Sequence, residues 1–172
     1  MLTGKLSPTS GEAYVMGLSI KDNIHGIQRL VSCVPQHDLL WGELSAMEHI
    51  RLFAKIKGVS RKNLIQEVDK VLHRVHLVEA ANQPAGGYSG GMKRRLSIAL
   101  AGIGGPKVIM LDEPTTGIDP LNRRRIWNLV RELKRDRIVV LTTHLMQEAD
   151  WYVPTIQRHC ILLYFLFFRA FD

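Results

Sequence analysis

Cysteine is scarce in this sequence: Cys33 and Cys160 are the only two among 172 residues, and they lie far apart. Two distant thiols supply no disulfide framework of the kind that staples small secreted domains, and they fit a reducing, cytosol-facing compartment. Long apolar runs are also lacking. The longest, Cys160 to Phe168, falls short of the roughly 20 residues that a membrane-spanning helix needs, and the opening residues do not read as a secretory signal. Acidic residues are outnumbered, 16 Asp and Glu against 23 Lys and Arg, which leaves a formal net charge of +7. A basic surface of this kind suits nucleic acid or an acidic membrane without specifying either. There is no internal repeat and no low-complexity linker. With 46% hydrophobic and 23% charged residues, the chain reads as one globular domain with a sizeable core rather than as a disordered segment.

The apolar pattern alternates between strand and helix. Met1-Leu2-Thr3-Gly4 reads as a helix end stopped by glycine, followed by a turn through Ser7-Pro8-Thr9-Ser10-Gly11. Glu12 to Met16 and Val31 to Pro35 have the look of short strands, separated by the polar stretch Lys21 to Arg29. After the loop Gln36 to Gly42, Ser45 and Glu48 form a capping box, and Met47, Ile50 and Ala54 share one face of the helix they open. Gly58 ends that helix and Ser60 caps the next, whose stripe is Leu64, Val68, Val71, Leu72 and Val75. A third helix follows the turn at Tyr88-Ser89-Gly90-Gly91, with Met92, Leu96, Ala99, Leu100 and Ile103 inward, and Gly104-Gly105-Pro106 closes it.

Val108 to Leu111 and Ile138 to Leu141 are continuous apolar runs, as expected of parallel strands covered on both faces. Between them Asp119 and Pro120 open a helix with a core stripe of Ile126, Leu129, Val130 and Leu133, giving a strand–helix–strand unit of right-handed crossover. Lys93-Arg94-Arg95 and Arg123-Arg124-Arg125 each span nearly a helical turn and read as solvated faces. His73 and His76 have a spacing that can bind a metal, but no cysteine or carboxylate set accompanies them, and they read as helix-surface residues.

Two stretches carry chemistry. Ser89, Gly90 and Gly91 place a hydroxyl and two side-chain-free residues at a helix start, where unpaired N–H groups carry partial positive charge toward an anion such as phosphate. The strand ending in Asp112-Glu113 puts adjacent carboxylates at the carboxyl edge of a parallel sheet, pointing in different directions. One can hold Mg²⁺ while the other accepts a proton from an attacking water. A helix cap or a rim charge is the alternative for either carboxylate.

Asp112-Glu113 belongs to the run Leu111-Asp112-Glu113-Pro114-Thr115-Thr116-Gly117-Ile118-Asp119-Pro120, and a strand later comes Leu141-Thr142-Thr143-His144. Together with Gln36 and the Ser-Gly-Gly helix, this order resembles the nucleotide-binding domain of ATP-binding cassette (ABC) transporters over roughly Leu2 to Asp150. Tyr88 to Leu96 and Cys33-Val34-Pro35-Gln36-His37-Asp38 look most like the A subfamily, whose members are associated with lipid transport. The resemblance implies an α/β, P-loop NTPase-like domain with a parallel core sheet and a helical subdomain at about 43–103. It implies ATP and Mg²⁺ as cofactors, with a second nucleotide-binding domain and transmembrane domains as partners. The domain would sit at a membrane, facing the cytosol, without nucleic acid. By the same resemblance Asp112 and Gln36 hold the metal, Glu113 is the general base, and His144 contacts the γ-phosphate. Ser89, Gly90 and Gly91 bind nucleotide held by the other subunit, and Asp119 communicates across the dimer.

The sequence departs from the family pattern at both ends. No G-x-x-x-x-G-K-S/T loop is present, since Gly4-Lys5 is followed by Leu6. In the family that loop anchors the β- and γ-phosphates, so the chain reads as a fragment whose ATP affinity in cis collapses. Residues 151–172 read as a divergent apolar tail, unrelated to the domain and an aggregation hazard if uncovered. Three readings stay open: a piece of an ATPase, a non-catalytic partner donating its Ser-Gly-Gly turn in trans, and a basic nucleic-acid-binding protein.

Overall fold

In the computed structural model, the runs Val108 to Leu111 and Ile138 to Leu141 become the two central strands of a parallel sheet, the placement that leaves no polar face to satisfy. Residues 3–4, 6–143 and the backbone of 160–164 are described. The chain orders as β1 (Tyr14–Val15), β2 (Leu18–Ser19), α1 (Ile24–Leu30), β3 (Val31–Val34), α2 (Ala46–Ile56), α3 (Arg61–Val75), a 3₁₀ turn at Ala85–Gly87, α4 (Gly90–Gly102), β4 (Val108–Asp112), α5 (Pro120–Leu133), β5 (Ile138–Thr143) and β6 (Cys160–Tyr164). The sheet runs β3-β4-β5-β6, parallel throughout. Its register pairs Val34 with Leu111 and Leu111 with Leu141, so the carboxyl ends of β3, β4 and β5 are level. Everything that leaves those three strands therefore begins at one edge.

Three features depart from the sequence reading. The first strand is shorter than Glu12 to Met16 and folds into a hairpin with β2. Met16 (φ 52°) and Gly17 (φ 80°) form the tight turn, with both residues in the left-handed region that matches strand twist. The polar stretch Lys21 to Arg29 overlaps α1, only seven residues long, which buries Ile27 completely in a small core with Ile20, Val31 and Val108. The apolar tail supplies β6, which pairs with β5 from Val139–Cys160 to Thr143–Tyr164. That strand covers an apolar β5 edge that would otherwise present unpaired backbone.

α2, α3 and α4 pack together, and α4 packs onto the sheet through β3 and β4. The Ser45–Glu48 capping box forms as expected, with Ser45 N donating to Glu48 Oε2 at 2.8 Å. His49 is fully buried but satisfied: its Nε2 accepts from Trp41 N at 3.0 Å, which leaves Nδ1 to donate to Ser45 O at 2.9 Å. α4 is the hub. It touches α2, α3, α5, β3 and β4, so it has no broad solvent face, and Leu96, Ile98, Ala99, Leu100 and Ala101 are all buried. Each fully buried leucine or isoleucine contributes about 2 kcal/mol of burial.

α4 corrects the sequence reading of Lys93-Arg94-Arg95 as outward. Arg94 and Arg95 are each only 3% exposed. A helix packed on most sides forces two consecutive side chains inward, and a buried guanidinium must then find acceptors. Both do, as described below.

Candidate functional site

The level sheet edge brings together two of the residues singled out from sequence. Gln36, two residues past β3, donates from Nε2 to Glu113 Oε2 at 2.9 Å. Asp112 is the last residue of β4 and is exposed. Its Oδ1 accepts from Thr142 Oγ1 at 2.6 Å, while Glu113 N donates to Thr142 O at 3.1 Å. The adjacent carboxylates thus diverge: Asp112 turns toward β5 and Glu113 toward the loop after β3. Thr116 Oγ1 donates to the same Glu113 Oε2 at 3.2 Å. Glu113 has φ 42°, a left-handed backbone that is costly for a residue with a Cβ and is held where surroundings over-determine it.

A second group forms at the starts of α4 and α5. Ser89 is the N-cap of α4, its hydroxyl accepting from Met92 N at 3.3 Å, and Ser89 and Gly90 are exposed. Gly91 is buried, and a Cβ there would lie 2.5 Å from Asn122 Cγ. Its glycine is required by close approach rather than by turn geometry. Asp119 caps α5: Oδ1 accepts from Asn122 Nδ2 at 2.7 Å and Oδ2 from Asn122 N at 3.1 Å. Those bonds, the side-chain one first, hold its carboxyl below the usual range. Arg95 Nη1 donates to Asn122 Oδ1 and Arg95 Nε to Val75 O at 3.0 Å. Burial, then the nearby Arg125 charge, lowers the Arg95 pKa from its ordinary value. One asparagine therefore joins the Ser-Gly-Gly turn to Asp119. His144 lies outside the described residues.

Arg94, Arg95, Asn122, Thr142 and Thr116 were missed by sequence reasoning. For the arginines a signal existed: Leu96 to Ile103 is apolar almost all round, which marks a helix buried on most sides. Among the described residues no trio of His, Cys, Asp or Glu is placed to cage a metal. Asp112, Gln36 and Glu113 are hard oxygen donors at one edge, which fits Mg²⁺, an ion commonly held by one or two carboxylates together with substrate phosphates.

With this geometry in view, comparison with known proteins gives the class. The chain belongs to the ABC transporter family, whose model matches residues 1–116. Solved ABC proteins share the fold. One, the dimeric post-hydrolysis state of an ATP-binding cassette bound to ADP and Pi, aligns with TM-score 0.74 and 26% identity over 87% of this chain and 69% of that one. Another, an ATP-binding subunit of an ABC transporter, aligns with TM-score 0.75 and 26% identity over 88% and 63%. The α/β, P-loop NTPase-like assignment with a parallel sheet stands.

Within the family, the chain is an ATP-binding domain of A-family type. ABC transporter A family member 8 of Dictyostelium discoideum is 49% identical over 150 residues, covering 87% of this chain and 18% of the relative. A family member 2 of Arabidopsis thaliana is 48% identical over 151 residues, covering 87% and 15%. The chain thus spans a small part of the curated relatives it matches.

Proposed function

We propose that this chain serves ATP binding and hydrolysis in an A-family transporter that moves lipid, with transmembrane domains and a second nucleotide-binding domain as partners. The observation that carries the reading is the 2.9 Å bond between Gln36 and Glu113 beside Asp112 at the carboxyl edge of a parallel sheet. Bound ATP supplies the phosphoryl group and Mg²⁺ offsets its charge. With the ion bound, Asp112 would hold it by a carboxylate oxygen, and Gln36, whose amide reaches Glu113, would offer its carbonyl oxygen. Glu113 accepts the proton of the attacking water on its carboxylate. His144 contacts the γ-phosphate and Asp119 faces the partner domain. The domain faces the cytosol from a membrane; among the described residues no helix is long and apolar enough to cross one.

Ser89 and Gly90, exposed at the start of a 13-residue helix, favour a half-site offered to nucleotide on another domain. The 172 residues contain no phosphate-anchoring loop of the G-x-x-x-x-G-K-S/T form, so in a test on this polypeptide the half-site offered to nucleotide on a partner is the feature expected to carry ATP-dependent association. The test mixes the purified 172-residue chain with an intact A-family nucleotide-binding domain and measures sedimentation with and without ATP and Mg²⁺. Association is expected only with nucleotide, to be lost in Ser89→Arg, and any turnover owed to this chain's edge is to be lost in Glu113→Gln. Micromolar ATP binding and turnover by the chain alone, or association indifferent to Ser89→Arg, overturns the proposal.

A further inference from the structure

The guanidinium of Arg94 lies under the candidate site rather than in it. Nε donates to Pro114 O at 2.9 Å. Nη1 reaches Pro35 O at 2.7 Å, Gln36 O at 3.1 Å and Asp38 Oδ1 at 3.3 Å. Nη2 reaches Asp112 O at 2.8 Å and Glu113 O at 3.3 Å. Five of these six acceptors are main-chain carbonyls, and they bracket Gln36 on one loop and Glu113 on the other. Those are the two residues whose side chains meet.

A hydrogen bond between two exposed loops is weak unless both loops are fixed, because ordering each of them costs conformational entropy. The left-handed backbone of Glu113 adds to that cost. A planar guanidinium opposes both, since its N–H groups leave in fixed directions and each loop is gripped from below through its backbone. We infer that Arg94 is a positioning residue: its fork, carried on α4, holds the loop after β3 and the turn after β4 so that Gln36 and Glu113 face each other. The same helix begins at Ser89, so the edge and the Ser-Gly-Gly turn ride on one rigid element. What this positioning serves rests on the proposed ATP reading, but the positioning itself does not.

The test uses the purified chain without nucleotide, so it succeeds or fails independently of the association assay. The Gln36 side-chain amide resonance is recorded in the unmodified chain and in Glu113→Ala, which gives its value without the acceptor. Arg94→Lys keeps the charge but loses the fork. It is expected to move the Gln36 resonance onto the Glu113→Ala value and to speed amide exchange at 36–38, 112–113 and 115–118 about tenfold, with α2 and α3 little changed. Arg95→Lys, which does not touch these loops, leaves the Gln36 resonance in place. Should Arg94→Lys fail to fold, Asp38→Asn weakens one partner of the fork and is expected to move the same resonance part of the way. An unmoved Gln36 resonance in the folded variant, or exchange that rises evenly over the whole chain, overturns the inference.

Discussion

Lys93-Arg94-Arg95 and Arg123-Arg124-Arg125 are nearly the same three residues at the same place in a helix, the fourth to sixth positions counted from Gly90 and from Pro120. Their fates differ. Arg94 and Arg95 are buried and bonded to the backbone and side chains of distant segments. Arg124 and Arg125 are exposed, and Arg123 is half-buried, donating to Ile118 O at 3.2 Å. The cause lies outside the runs. α5 buries one stripe, Ile126, Trp127, Leu129, Val130 and Leu133, and keeps a solvent face for its cations. α4 is enclosed, so its cations are enlisted as internal donors. What a charge run means is set by how many sides of its helix are covered.

The contrast can be broken by substitution. Arg95→Ala leaves Val75 O, which is buried, and the Asn122 amide oxygen, which is half-buried, without their guanidinium donor. It is expected to cost about 2–3 kcal/mol, seen as a fall in thermal midpoint of roughly 4–12 °C. A fall no larger than that of an α5 arginine would erase the distinction between the runs. Gly91→Ala comes next, at about 1–3 kcal/mol, because its Cβ would press on Asn122. In an Asn122→Gly background, which also removes the Asn122 Cβ that would lie 2.8 Å from the new one, the same substitution should cost less than half as much in urea denaturation. An equal cost in both backgrounds would mean that some other neighbour demands the glycine. Arg124→Ala and Arg125→Ala close the series, each expected within about 0.5 kcal/mol of the unmodified chain, and a larger loss in either would show the α5 run to be engaged after all.

Much of the architecture was legible because it is local. The apolar runs of β4 and β5, the Ser45–Glu48 box and the Asp119-Pro120 helix start are each set by a few adjacent residues. Asp112 and Glu113 were legible as strand-end residues for the same reason, whereas Gln36 was singled out only by the family resemblance. That Gln36 meets Glu113 was not, since it depends on β3 and β4 pairing Val34 with Leu111, a register no single segment encodes. α1 escaped notice because seven residues, three polar and one a glycine, around one fully buried isoleucine give too little periodicity. The buried arginines escaped because charge was weighed before the apolar surroundings of their helix. The run that forms β6 read as part of a tail unrelated to the domain, because no local signal shows that β5 presents its edge to it.

Position 113 also sets stability against chemistry. Glycine would adopt a φ of 42° with no Cβ to strain, and the fold would gain about 1 kcal/mol of relief while losing its carboxylate. A glutamate there is a conformational cost carried by the sheet edge, and Arg94 beneath it grips the carbonyls of residues 112, 113 and 114 on which that cost falls.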